Sequence, residues 1–209
     1  MTGRRWSVLW LVALGGCLFR SSDAPRFFRP GSAILDAADD NLEPVAAAGI
    51  PIRLRGVRSG PFLRECIVWR VSDVEYGLYE QRRWTDLPAH YVERALRTRL
   101  RETPGLRLTD DPRAATLHVD VVAFDEVIAP THAADVALAV LLEDRERGRL
   151  LARTMSARVG IADGDSASMA TAMGQALDEV VTEVADAVRL SAQALAEPRS
   201  GTHANDHAR

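Results

Sequence analysis

Three segments, Thr116–Ala123 (TLHVDVVA), Val136–Leu142 (VALAVLL) and Leu150–Ile161 (LLARTMSARVGI), decide how this chain folds. In the first, Leu117, Val119, Val121 and Ala123 alternate with Thr116, His118, Asp120 and Val122, the period of a strand with one face buried. The second repeats the period, with Val136, Leu138, Val140 and Leu142 on one side and the small Ala137 and Ala139 on the other. The charged turn Asp144 to Arg149, containing Gly148, joins it to the third. Three such strands in succession predict an antiparallel meander.

Working outward, Asp163-Gly164-Asp165-Ser166 turns the chain into a long helix. Its apolar residues Met169, Met173, Leu177, Val180, Val181, Val184 and Val188 recur at steps of three and four, while Glu179, Glu183 and Asp186 face away. On the N-terminal side, Thr85-Asp86 and Pro88 mark a helix start, because proline tolerates the first turn and a short polar side chain accepts a free amide. Val92, Leu96 and Leu100 then form one face beside Tyr91 and Ala95, and Thr103-Pro104-Gly105 ends the helix after about four turns. Before it, Cys66–Arg70 and Val74–Glu80 read as a hairpin parted by Ser72-Asp73, closed by Trp84. Ile52 and Leu54 alternate with Arg53 and Arg55 in an earlier strand, and Phe27-Phe28 forms a short edge strand. The expectation is an α+β fold: a curved, mostly antiparallel sheet of about six strands with two main helices packed on one face.

The first twenty residues address the compartment. Arg4 and Arg5 precede Trp6–Gly16 (WSVLWLVALGG), eleven residues without charge, followed by Cys17. This is the layout of a secretory signal peptide, too short for the ~20 apolar residues that span a bilayer. Leu14, Gly15, Gly16 and Cys17 resemble a bacterial lipobox, which implies cleavage before Cys17 and lipidation of its thiol. By resemblance to diderm lipoproteins, in which Asp after the cysteine favours the inner membrane, Leu18 implies the outer membrane. The expected divisions are a signal peptide at 1–16, a lipidated tether and loop at 17–49, one domain at 50–192 and a disordered tail at 193–209.

Composition excludes several chemistries. The 209 residues carry a net charge of −3, with 47% hydrophobic and 26% charged residues, and all 26 cationic side chains are arginine. Without lysine the chain encodes no Walker A loop, no Schiff-base enzyme and no Ser-x-x-Lys acyl enzyme. Removing residues 1–16 leaves 24 Arg against 29 acidic residues, a balance of −5 that argues against a nucleic-acid partner. Once Cys17 is acylated, Cys66 has no intramolecular partner, and its apolar strand predicts a buried, inert thiol. His118 and Asp120 share a strand face and read as solvated polar residues rather than a base pair. Asp165 or Ser166 reads as a helix cap rather than part of a hydrolase string. His203 and His207 have the spacing of helical metal ligands but stand in the tail without an intervening glutamate. No catalytic residue and no metal site is expected, and no cofactor apart from the lipid on Cys17.

Ile67-Val68-Trp69-Arg70, then Val74-Glu75-Tyr76, Tyr79 and Arg83-Trp84-Thr85-Asp86-Leu87-Pro88 leading into the helix, resemble the ABC-type transport auxiliary lipoprotein family, that of the paraquat-inducible outer-membrane lipoprotein. Trp69 stands where the family has tyrosine, and a single Pro88 where a proline pair is common. The likeness covers about residues 50 to 192 together with the lipobox. It implies a non-catalytic outer-membrane lipoprotein on the periplasmic face, serving an ABC permease and ATPase and an MCE-domain protein that moves lipid, with assembly into a homo-oligomeric ring. Trp69, Arg70, Tyr76, Tyr79, Arg83, Trp84 and Pro88 then become motif residues for packing or interface. An envelope scaffold or secretion-assembly lipoprotein is the alternative reading.

Overall fold

The computed structural model describes residues 24–40 and 48–196. The expected signal peptide, with Leu14, Gly15, Gly16, Cys17 and Leu18, and His203 and His207 of the expected tail lie outside the described residues.

The three alternating segments become β7 (Ala115–Val127), β8 (Ala133–Asp144) and β9 (Gly148–Gly160), paired antiparallel in sequence as expected. Numbered in chain order, the elements before them are β1 (Arg26–Phe28), α1 (Ala33–Asp40), β2 (Ile50–Leu54), β3 (Arg58–Ser59), β4 (Cys66–Ser72), β5 (Glu75–Trp84), α2 (Pro88–Glu102) and β6 (Leu106–Leu108). The last element of the described residues is α3 (Ser166–Ala196). β7 is the spine. One of its edges carries β8; the other carries, one after another, β2 at residues 115–117, β3 at 120–121 and β4 at 125–127, all parallel to it. β6 extends the sheet from β2, and β5 then β1 extend it from β4.

The sheet is open and mixed. Its long ladders are the antiparallel ones expected, but the short strands pair parallel, and among the described residues the sheet has nine strands rather than the about six read from the pattern. The additional strands β1, β3 and β6 have two or three residues each, too short to show a period. The folded unit also begins earlier than residue 50: α1 occupies part of the segment expected to be tether and loop, and α3 runs four residues past 192.

The periodic residues form the core. Val92, Leu96 and Leu100 of α2 and Met169, Met173, Leu177, Val180, Val181, Val184 and Val188 of α3 are all buried against the sheet face of Leu117, Val119, Leu138 and Leu142. At 31 residues α3 is about 46 Å long. Asp165 caps it, its Oδ1 accepting the amide of Ser168 at 2.7 Å; that hydrogen bond holds the Asp165 carboxyl below its ordinary pKa. The cap expected for α2 differs. Leu87 occupies the N-cap with no side-chain hydrogen bond, while Asp86 Oδ1 accepts the Leu87 amide at 2.8 Å and pairs with His90 Nδ1 at 2.7 Å.

α1 is held by α3. Asp178 accepts the Ala33 amide at 2.8 Å and the Ser32 hydroxyl, capping α1 from a residue 145 positions away. The Gly31 amide donates to the Ala170 carbonyl at 3.0 Å, and a Cβ on Gly174 would collide with the Gly31 backbone. Gly174→Val is expected to destabilise the protein by about 1–3 kcal/mol through overpacking. Backbone cannot yield as a flexible side chain can. Amide exchange should rise at Gly31–Leu35; unchanged exchange there and an unchanged melting temperature would refute this packing.

Candidate functional site

The motif residues of the β4–β5 hairpin divide between two sheet faces, because directly paired residues share a face and neighbours alternate. Trp69 pairs with Gly77 and lies over it, where any Cβ would strike the indole; it also pairs with Glu126 of β7. Arg70 pairs with Tyr76, and Val68 with both Leu78 and Asp125, on the other face.

On the helix-covered face the aromatic residues build core. Trp84 is buried edge-on against Phe124 at 5.4 Å and Tyr91 at 6.4 Å between ring centroids. Pro88 is buried at the first turn of α2, which fixes how that helix leaves Trp84. Arg83 is half-exposed, 3.6 Å from Glu65. Tyr79 lies under the Arg82 guanidinium, 4.3 Å from ring centroid to Cζ. Burial first, then the nearby Glu126 carboxylate, pushes the Tyr79 phenol up to about 12. Glu126, with 4% side-chain exposure, is met by His132 Nε2 at 2.6 Å and Arg82 Nη1 at 3.8 Å.

On the open face Arg70 is the hub of a charge cluster assembled from four strands and a turn. Its Nε donates to Asp125 at 2.8 Å, its Nη2 to Asp135, and its Nη1 to Asp73 of the hairpin turn at 3.3 Å. Arg158 of β9 reaches Asp135 at 2.9 Å. Burial opposes the Arg70 charge, yet Asp125 and Asp135 outweigh it and hold its pKa above the ordinary value. For Asp125, which has 3% side-chain exposure, burial prevails over the pull of Arg70 and raises its pKa. The Tyr76 ring stacks near the Arg70 guanidinium, 5.9 Å from Cζ to centroid.

Beside this cluster lies an apolar groove of about 540 Å³, walled by Phe62 and Leu63 of the β3–β4 loop, by Val68, Tyr76 and Leu78, and by Val122. The register shift in β7 between Val121 and Ala123 leaves Val122 on the open face, 58% exposed. Among the described residues, five of the eight exposed large hydrophobic side chains (Phe62, Val74, Tyr76, Leu78 and Val122) line this one groove. With Asp125 neutralised by Arg70 at its floor, the groove suits apolar matter rather than a charged ligand.

Arg70 and Tyr76 are thus brought together, whereas Trp69, Tyr79, Arg83, Trp84 and Pro88 stand elsewhere. The sequence reading did not find Asp125, Asp135 and Arg158, since an acid on an alternating strand gives no sign of its partner. Val74 did carry a signal, as a valine between Asp73 and Glu75 in a hairpin turn has no core to face. The other constellations stay apart: His118 lies 3.9 Å from Glu143, and Asp120 binds Arg58 at 2.8 Å. Cys66 is half-buried rather than buried; it opens β4, where the pairing with β5 shifts register. Among the described residues no group of three or more His, Cys, Asp or Glu side chains is placed to hold a metal, and no helix is long and apolar enough to cross a membrane.

Comparison with known proteins finds no match among curated sequences. Among solved structures the fold is similar to a DUF330 protein from Xanthomonas campestris, with a TM-score of 0.68 at 17% identity, over 83% of this chain and 100% of that one. An uncharacterised protein aligns with a TM-score of 0.61 at 15% identity, over 79% of this chain and 99% of that one. The model of the ABC-type transport auxiliary lipoprotein component matches residues 47–185, from just before β2 into α3, including the hairpin, the Arg70 cluster and the groove. The chain therefore belongs to the ABC-type transport auxiliary lipoprotein family.

Proposed function

We infer that the protein is a non-catalytic, lipid-anchored auxiliary component of an ABC/MCE-type transport system that moves lipid across the periplasm. The observation that carries this reading is the family match over residues 47–185. The anchor is the acylated Cys17, and Leu18 after it directs the protein to the periplasmic face of the outer membrane. Its partners are an MCE-domain protein and the permease and ATPase of the same system, with a homo-oligomeric ring as the working form. Energy comes from the ATPase partner, since this lysine-free chain encodes no phosphate loop.

Two measurements test the reading. Cross-linking in cells should capture an MCE-domain protein; capture of secretion components instead would replace transport by a scaffold role. Cys17→Ala should move the bulk of the protein from the outer-membrane fraction to the soluble one, because the acyl chains supply about 0.8 kcal/mol of membrane affinity per buried methylene. Unchanged fractionation would rule out the acyl anchor.

A further inference from the structure

The open-face groove has no place in the reading above, and three features of the fold bear on what covers it. The first is its exposed apolar rim. Val74 at the β4–β5 turn is 92% exposed and Phe62 at the β3–β4 loop 72%, and both line the same groove with Tyr76 and Leu78 behind them. A monomeric surface seldom presents so much contiguous apolar matter without a role.

The second is the direction of the chain. β1 runs parallel to β5, with Arg26 opposite Arg82, Phe27 opposite Arg83 and Phe28 opposite Trp84. The N-terminal end of β1 is therefore directed toward the Glu75 side, the end of β5 at which Val74, Tyr76 and Leu78 stand. The third is length. Nine residue steps lead from Cys17 to Arg26, a reach of at most about 32 Å. The eight residue steps from Arg82 of β5 back to Val74 at the turn span about 26 Å. A connection this short holds the domain close to the membrane in which Cys17 is anchored, and its reach exceeds the distance from Arg82 to the groove end at Val74.

We propose that the rim of this groove, Phe62, Val74, Tyr76 and Leu78, is a membrane-docking surface that rests the domain on the bilayer in which Cys17 is anchored. The inference rests on the acyl anchor of the proposed function. Insertion is shallow and apolar. Asp73 and Glu75 flank Val74, so attraction to anionic lipid is not the source of affinity. Tyr76 suits the level of the headgroups, with an apolar ring and a polar hydroxyl. Docking in this pose turns the helix-covered face, with Leu190 of α3 60% exposed, away from the lipid.

The test uses the lipidated protein reconstituted on phosphatidylcholine vesicles, with ordinary or acyl-brominated lipid, carrying Val74→Trp or, as a control, Leu190→Trp. Flotation reports the anchor; quenching by bromine reports docking. Expected are co-flotation, a blue shift and strong loss of emission for Val74→Trp in brominated vesicles, unchanged in high salt, and no added loss for Leu190→Trp. A Phe62→Ser/Val74→Ser pair, changing only exposed side chains, should float equally but weaken the quenching of a Leu78→Trp reporter. Flotation with equal quenching at positions 74 and 190, or quenching abolished by salt, overturns docking while the anchor stands, and leaves the groove to a protein partner. Failure to float overturns both.

Discussion

Leu96→Asp should abolish cooperative folding. Leu96 is fully buried in α2, on the face shared with Val92 and Leu100 and packed into the core that α3 and the sheet complete. An aspartate there exchanges buried hydrocarbon for a carboxylate with no built-in partner. Leucine truncation alone costs about 2–5 kcal/mol, and the unsatisfied polar group adds to it. Against a total stability of about 5–15 kcal/mol, the sum approaches or exceeds what the domain has. Circular dichroism should show a broadened or absent melt. Arg101→Gln, an exposed change on the same helix, should stay within about 1 kcal/mol of the parent. A sharp melt for Leu96→Asp near the parental temperature would mean that the buried face of α2 is not where the structure puts it.

The second large effect is expected at Arg70→Met, which keeps the length of the side chain and removes its charge. Asp125 and Asp135 would stay buried, with only Arg158 left to meet Asp135. Breaking a buried pair from one side costs about 3–5 kcal/mol, because the surviving charge is stranded. The loss should depend on pH. Asp125 already has a folded-state pKa raised by burial, so its ionisation weakens folding as pH rises from the ordinary carboxylate value through the folded one. Removing Arg70 displaces that pKa further upward and widens the window.

Urea denaturation should therefore show the full deficit of Arg70→Met at neutral pH and a smaller one near pH 4, where Asp125 can take a proton. Asp125→Asn added to Arg70→Met should recover part of the loss at neutral pH and little in acid. A deficit independent of pH would mean that Arg70 acts through its packing on Tyr76 rather than through charge. The groove floor is formed by this same cluster, so the variant also tests whether a neutral floor is needed for the open face to be apolar.

Much of the fold was legible because burial writes itself locally. The alternation of Leu117, Val119 and Val121 and the three-and-four spacing of Met169 to Val188 each mark one face over many residues, and the structure buries those faces. α1 was not legible. Its eight residues begin after Gly31-Ser32 and include Asp36, Asp39 and Asp40, and its cap comes from Asp178 in another helix. Short helices depend on tertiary partners for stability, so nothing near in sequence announces one here. The parallel strands β2, β3 and β4 were individually visible or too short to see, but their shared docking along one edge of β7 was not.

The same division holds at the site. Arg70 and Tyr76 stand on adjacent strands of one hairpin, so local sequence placed both on a motif; Asp125 and Asp135 join them only because β4 pairs with β7 and β7 with β8 in one register. The groove is assembled likewise from a loop, a hairpin and a bulge in β7. By itself the sequence determined which faces of the long strands and helices are buried, where those elements run, which family the chain resembles and that no lysine-dependent chemistry is encoded. Tertiary structure alone decided that Gly31 touches Gly174, that three acids share one arginine, and that five apolar side chains gather on an open face. Periodicity records the environment of a residue within one element, whereas contacts between distant segments depend on register and packing, which no local pattern specifies.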